Sequence, residues 1–234
     1  MTVGILCCRV LEQEVQSLVR RLPGDYHLEV LEWGLHVHPP ALLDQLVTRI
    51  RAIEDRVAAV VLAFGRCRTL DQLPADFKVP VLYPPGEDCI GVLLGQERYL
   101  EELYKEAGTW FLSPGWAELG MEFIFREIQE SGMAKKGIDP MQVARRMLDG
   151  YQRALLIDTG VGDQGSLRAR AQEIADRFNW RVETVEGSLS RLEDALRKAL
   201  AVDRARPAPR PPLRRSGFRS ESRRHTPKNR PKDD

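Results

Sequence analysis

Apolar runs and amphipathic stretches alternate along this chain as far as about residue 200. The apolar runs predict strands at Val3–Cys7, Leu28–Trp33, Val57–Phe64, Val79–Tyr83, Thr109–Leu112, Ala154–Asp158 and Arg181–Val185. The amphipathic stretches predict helices at Leu11–Arg21, Ala41–Asp55, Ile90–Ala107, Ala117–Ser131, Met141–Arg153, Ser166–Phe178 and Leu189–Leu200. Such alternation predicts an α/β protein with a mainly parallel sheet and helices on both faces. Helix-start signals agree. Asp139-Pro140 supplies an N-cap followed by proline at the first helical position, and Ser188 after the turn residue Gly187 can cap the last helix.

The length suits one large domain over 1–200, divisible into two Rossmann-like lobes at 1–112 and 151–200 joined by the helices between them. Beyond Ala201 the periodicity fails. Proline and arginine dominate 204–212, so 203–234 reads as a disordered tail.

Charge sharpens that division. From Arg204 onward there are 11 Lys/Arg against 3 Asp/Glu, a local charge of +8, while the rest holds 24 against 31, or −7. The arginines of the tail can contact nucleic acid or acidic surfaces weakly through counterion release, or serve only as a solubilising extension. No run of about 18 apolar residues predicts a membrane span. The N-terminus lacks the basic start and long apolar stretch of a signal peptide, so a cytoplasmic setting is expected. Thiols stay reduced there. The four cysteines therefore read as metal ligands, reactive thiols or core residues before disulfides.

Three of them fall where predicted strands end. Cys7 closes Val3–Cys7, Cys67 follows Val57–Phe64 in Gly65-Arg66-Cys67, and Cys89 follows Val79–Tyr83 in Glu87-Asp88-Cys89. In an open parallel sheet the carboxyl ends of the strands form the ligand edge. Thiolates gathered there suit zinc or iron, the latter also as an iron–sulfur cluster. A lone strand cysteine is usually core, and Cys8 keeps that reading because successive strand residues face opposite ways. His36 and His38 both lie near the same edge, and either can complete the site. There is no Cys-x-x-Cys pair of the zinc-finger kind.

A family resemblance adds to these observations. Leu35-His36-Val37-His38-Pro39-Pro40-Ala41-Leu42, Gly65-Arg66-Cys67, Asp88-Cys89-Ile90, Leu93-Leu94-Gly95, the stretch from Gly108 to Trp116, Ile157-Asp158-Thr159-Gly160 and Gly187-Ser188-Leu189 together resemble domain of unknown function family 1638 across about residues 3–200. Such proteins occur in archaea and bacteria, some encoded beside corrinoid-dependent methyltransferases. The resemblance implies no established activity. It matches Cys7, His36, Cys67 and Cys89, and so favours His36 over His38. Arg68 departs from the glycine of many relatives.

Two further strand ends carry candidate ligand-binding residues. Asp158, Thr159, Gly160 and Asp163 lie in a glycine-containing turn before a helix; this is neither a Walker loop nor a dinucleotide fingerprint. Ser113 and Trp116 occupy another strand-end loop, and Asp88 stands beside Cys89 as a possible partner of a ligating histidine. No serine-hydrolase elbow is present. The residues thus suggest a metal-binding α/β protein acting on an unidentified small molecule or protein, and the resemblance, through its methyltransferase neighbours, implies an enzyme or accessory in metal-assisted methyl-group or one-carbon transfer. The alternative is a scaffold or binding module with a structural zinc.

Overall fold

The computed structural model describes residues 2–66, 70–130, 137 and 139–205; of residues 36, 37, 127, 130 and 203–205 it describes the backbone alone. In chain order the elements are β1 (Thr2–Cys8), α1 (Glu12–Arg21), β2 (Asp25–Leu31), α2 (Pro39–Ile53), β3 (Val57–Ala63), β4 (Val81–Leu82), α3 (Cys89–Leu94), α4 (Gln96–Lys105), β5 (Thr109–Leu112), α5 (Pro114–Leu119), α6 (Glu122–Glu130), α7 (Pro140–Met147), β6 (Arg153–Asp158), α8 (Gln164–Phe178), β7 (Arg181–Glu186) and α9 (Ser190–Ala205). They build two parallel sheets, ordered β2-β1-β3-β4 and β5-β6-β7, with helices around them. The expected fold class is therefore correct. Residues 206–234, which include most of the segment read as a tail, lie outside the described residues; α9 carries regular helix to Ala205.

The central strands are buried throughout. Every residue of Val57–Ala63 is inaccessible, as a parallel strand covered on both faces requires. The register aligns the strand ends that matter, with Cys7 opposite Val30 and Ala63, and Cys8 opposite Leu31. The chain moves outward from β1 to β2, then back across β1 to β3. That reversal is the switch point at which open α/β sheets bind ligands, at the carboxyl ends of the strands.

The carboxyl edges of the two sheets face each other. Ser113, just after β5, donates its hydroxyl to the carbonyl of Val10 in the 3-10 turn that follows β1 (3.3 Å). Thr159, just after β6, donates to Glu14 of α1 (3.2 Å). The last helix returns to the first sheet, where α9 packs on β3 and β1 and Leu200 lies against Gly24. One continuous hydrophobic core results. No described helix is long and apolar enough to cross a membrane.

Departures from the sequence reading have local causes. The second strand ends at Leu31, where β1 ends and the ladder loses its partner; Trp33 begins a 3-10 turn, Trp33–Val37, with its ring edge-on to Phe123 at 5.4 Å. The fourth shrinks to Val81–Leu82. Pro80 before it has no N–H to donate, though its carbonyl accepts from Val60 (2.9 Å). The helix expected at Ile90–Ala107 breaks at Gly95, whose left-handed backbone (φ 82°) suits glycine, and the guanidinium of Arg191 fills the space a side chain there would need. The helix expected at Ala117–Ser131 breaks likewise at Gly120 (φ 59°).

Candidate functional site

Alternation along β1 turns its last two cysteines to opposite faces of the sheet. Gly4, in phase with Leu6 and Cys8, lies against Ile53 of α2. Cys7 is in phase with Val3 and Ile5. Its thiol is fully buried and donates to the Cys8 carbonyl (3.1 Å). Burial raises its pKa far above the ordinary thiol range, and the thiol of Cys8 and the carboxylates of Glu14 and Glu12 push the same way.

Cys89 opens α3. Asp88 caps this helix by accepting from the Gly91 N–H (2.7 Å), and its other oxygen accepts from the Tyr99 hydroxyl (3.1 Å). The indole N–H of Trp116 donates to the Cys89 sulfur (3.4 Å). A helix N-terminus ordinarily lowers a thiol's pKa. Here burial wins, and the thiol is pushed up to about 12, with Cys8 adding to the rise and Trp116 opposing it. Cys8 is itself pushed up to about 11 by burial. The electrostatic neighbour of Cys89 on β1 is thus Cys8, which is also the neighbour of Cys7; Cys7 interacts further with the acidic start of α1. At neutral pH all three thiols are protonated. A cation with open coordination positions is the kind of group that overcomes this by displacing the protons.

Gly65 and Arg66, which follow β3, are fastened to the same place. A Cβ at Gly65 would overlap the backbone of Asp88. The next residue, Arg66, donates its backbone N–H to the carbonyl of Gly86 (2.6 Å) and lays its guanidinium over the Tyr83 ring (5.3 Å). Cys67 and Arg68 lie outside the described residues. Because the Asp88 backbone cannot yield as a side chain would, Gly65→Ala is expected to cost about 3 kcal/mol, read as a lowered midpoint in urea unfolding.

His36 sits on the 3-10 turn after β2, its side chain outside the described part. Trp33 on the same turn meets Phe123, which meets Trp116 (4.7 Å), so an aromatic chain links this turn to the residue that donates to Cys89. His38 is exposed and makes no side-chain cap to α2. Among the described residues, no three His, Cys, Asp or Glu are grouped so as to hold a metal ion.

The other candidates shape loops. The Ser113 hydroxyl, besides donating to Val10, accepts from the Trp116 N–H (3.3 Å) and caps α5. Asp158 accepts from the Gly160 N–H (2.8 Å), and Asp163 caps α8 through Ser166 (3.0 Å). Thr159 touches a residue the sequence gave no reason to notice. Glu14 is fully buried, and its Oε2 has no hydrogen-bond partner. Burial pushes its pKa up to about 7, Glu118 adding to the rise while Thr159 opposes it. In sequence it is an ordinary first-turn acid of a helix.

The family model described as protein of unknown function DUF1638 matches residues 30–196. The chain belongs to this family. The matched span contains His36, Cys67, Cys89, Ser113, Trp116 and the 158–163 turn. It begins after β1 and α1, leaving Cys7, Cys8 and Glu14 outside it. No curated protein and no solved structure matches the chain.

Proposed function

We propose that this DUF1638 protein binds zinc or iron at the facing carboxyl edges of its sheets, through Cys89, Cys67, His36 and a cysteine of β1. The carrying observation is the half-buried Cys89 thiol, with Trp116 donating to it and Cys8 as its electrostatic neighbour. The sequence reading gave the β1 position to Cys7. The electrostatic pairing of Cys8 with Cys89 supports Cys8 instead, since a tetrahedral site needs its sulfurs on one side of the sheet. The pinning of Gly65 and Arg66 against Asp88 and Gly86 supports Cys67 as a further ligand. The aromatic link from Trp33 supports His36.

When bound with an open position, such a metal lowers the pKa of a thiol or water, which is the chemistry that metal-assisted methyl-group or one-carbon transfer requires. The protein's own part is to exclude water and hold the sulfurs. The Trp116 indole held against the Cys89 sulfur favours a second reading, a closed structural zinc with four protein ligands and no reaction.

Metal analysis and a visible spectrum of anaerobically purified full-length protein test the proposal. One zinc per chain in a colourless protein, or two or more irons per chain in a brown one carrying an iron–sulfur cluster, is expected. Cys89→Ser and Cys8→Ser should each weaken binding about a hundredfold or more, since even a residue that only supports a ligand is worth roughly ten- to a hundredfold. Cys7→Ser should leave binding unchanged. Loss in Cys7→Ser with retention in Cys8→Ser would return the role to Cys7; a metal-free wild-type protein would remove the proposal.

A further inference from the structure

A cleft of about 780 Å³ opens beside the carboxyl ends of β3 and β4, lined by Arg66, Tyr83, Glu87, Gln96, Arg191 and Lys198, with Asp71 at its side. Its cations come from two separate parts of the chain. Arg66 belongs to the loop after β3. Arg191 and Lys198 stand seven residues apart on α9, two turns along one helix face.

Both arginines are held in place. Arg191 lies over Gly95, whose missing side chain leaves room for the guanidinium, and its Nη1 donates to the carbonyl of Val92 (3.4 Å). The start of α9 is anchored at the same point, where the Ser188 N–H donates to the Leu93 carbonyl (2.8 Å). Arg66 is fixed by the face of Tyr83 and by its Nε bond to Asp71 (3.0 Å). A guanidinium whose stem is already ordered loses little freedom when it takes a ligand, and its planar fork matches an oxyanion. Lys198 makes no described hydrogen bond or ion pair. The three cations exceed Asp71 and Glu87 by one charge, which suits a singly charged group better than a polyphosphate.

We infer that this cleft binds the carboxylate of a small molecule between Arg191, Arg66 and Lys198. The bound molecule would lie next to the segment that continues into Cys67, so the cleft supplies a place for a substrate's anionic end at the ligand edge of the fold. The inference requires no metal, and it stands or falls separately from the proposed function.

The test is titration of the full-length protein with sodium acetate, followed in two-dimensional ¹H–¹⁵N spectra, against sodium chloride at equal ionic strength. Saturable shifts at Gly86, Gly95 and Arg191 are expected with acetate and not with chloride. Arg191→Ala and Arg66→Ala should each raise the dissociation constant about tenfold, the effect of losing one charge-assisted hydrogen bond. Arg191→Lys, which keeps the charge and lets the fold be checked, should raise it by less. Arg197→Ala, on the same helix but paired with Glu193, should leave it unchanged. Equal shifts with chloride, or shifts confined to residues 206–234, would overturn the inference. So would an unaltered dissociation constant in the Arg66 and Arg191 variants.

Discussion

Glu14→Gln is expected to stabilise the protein above pH 7 by about 3 kcal/mol and to leave it nearly unchanged at pH 4. The reason is the buried carboxyl of Glu14, of which Oε1 accepts from Thr159 while Oε2 has no hydrogen-bond partner. Burial pushes its pKa up to about 7, from an ordinary value of 4.5 that the unfolded chain retains. Between those two values the native state keeps a proton that the unfolded state has released, so stability falls as pH rises from about 4.5 to about 7 and then levels off. Glu29 and Glu183 shift the opposite way, lowered by their arginine partners and, for Glu29, by His27. They act at the acid end of the range, where stability falls as pH drops below about 4.5. The two windows are separable. Urea unfolding from pH 4 to 8 should show the decline in wild type and a flat profile in Glu14→Gln. An equal decline in both would mean that Glu14 is ionised in the native state.

Arg153→Met is expected to destabilise by about 3 to 5 kcal/mol, the usual cost of stranding a buried charge. Arg153 opens β6 with no exposure to solvent. Its guanidinium donates to Glu102 of α4 (2.8 Å), to Glu183 of β7 (3.1 Å), to the Glu102 carbonyl (2.9 Å) and to the hydroxyl of Thr109 at the start of β5 (2.8 and 3.0 Å). One side chain thus ties all three strands of the second sheet to α4 at the end opposite the site. Methionine fills similar space but leaves Glu102, almost wholly buried, without its main partner. Adding Glu102→Gln should recover much of the loss, because the two substitutions share one interaction. If the double variant is as unstable as the two costs added together, packing around the Arg153 stem matters more than the ion pair.

Much of the fold was legible because its strands are covered on both faces. Val57–Ala63 and Ala154–Ile157 are continuous apolar runs, and such runs between amphipathic segments have few readings other than buried parallel strands. Helix interruptions at Gly95 and Gly120 were not legible. Glycine inside a helical pattern is tolerated often enough that only a tertiary neighbour, Arg191 in the first case, decides the matter. The candidate site divides in the same way. That Cys89 and the loop after β3 would meet at one edge follows from strand order. That Cys8 rather than Cys7 is the electrostatic neighbour of Cys89 does not, since alternation says only that the two differ. Glu14 was invisible for a related reason. Its hydrogen-bond partner, Thr159, lies 145 residues away, and no local pattern marks it.

The central claim is a thiolate metal site at the facing strand ends. X-ray absorption at the metal edge, on full-length protein purified without oxygen, tests it most directly. The account predicts three sulfur neighbours at about 2.3 Å, with a nitrogen completing the set. A metal surrounded only by oxygen and nitrogen, or a protein that holds no metal, would contradict it.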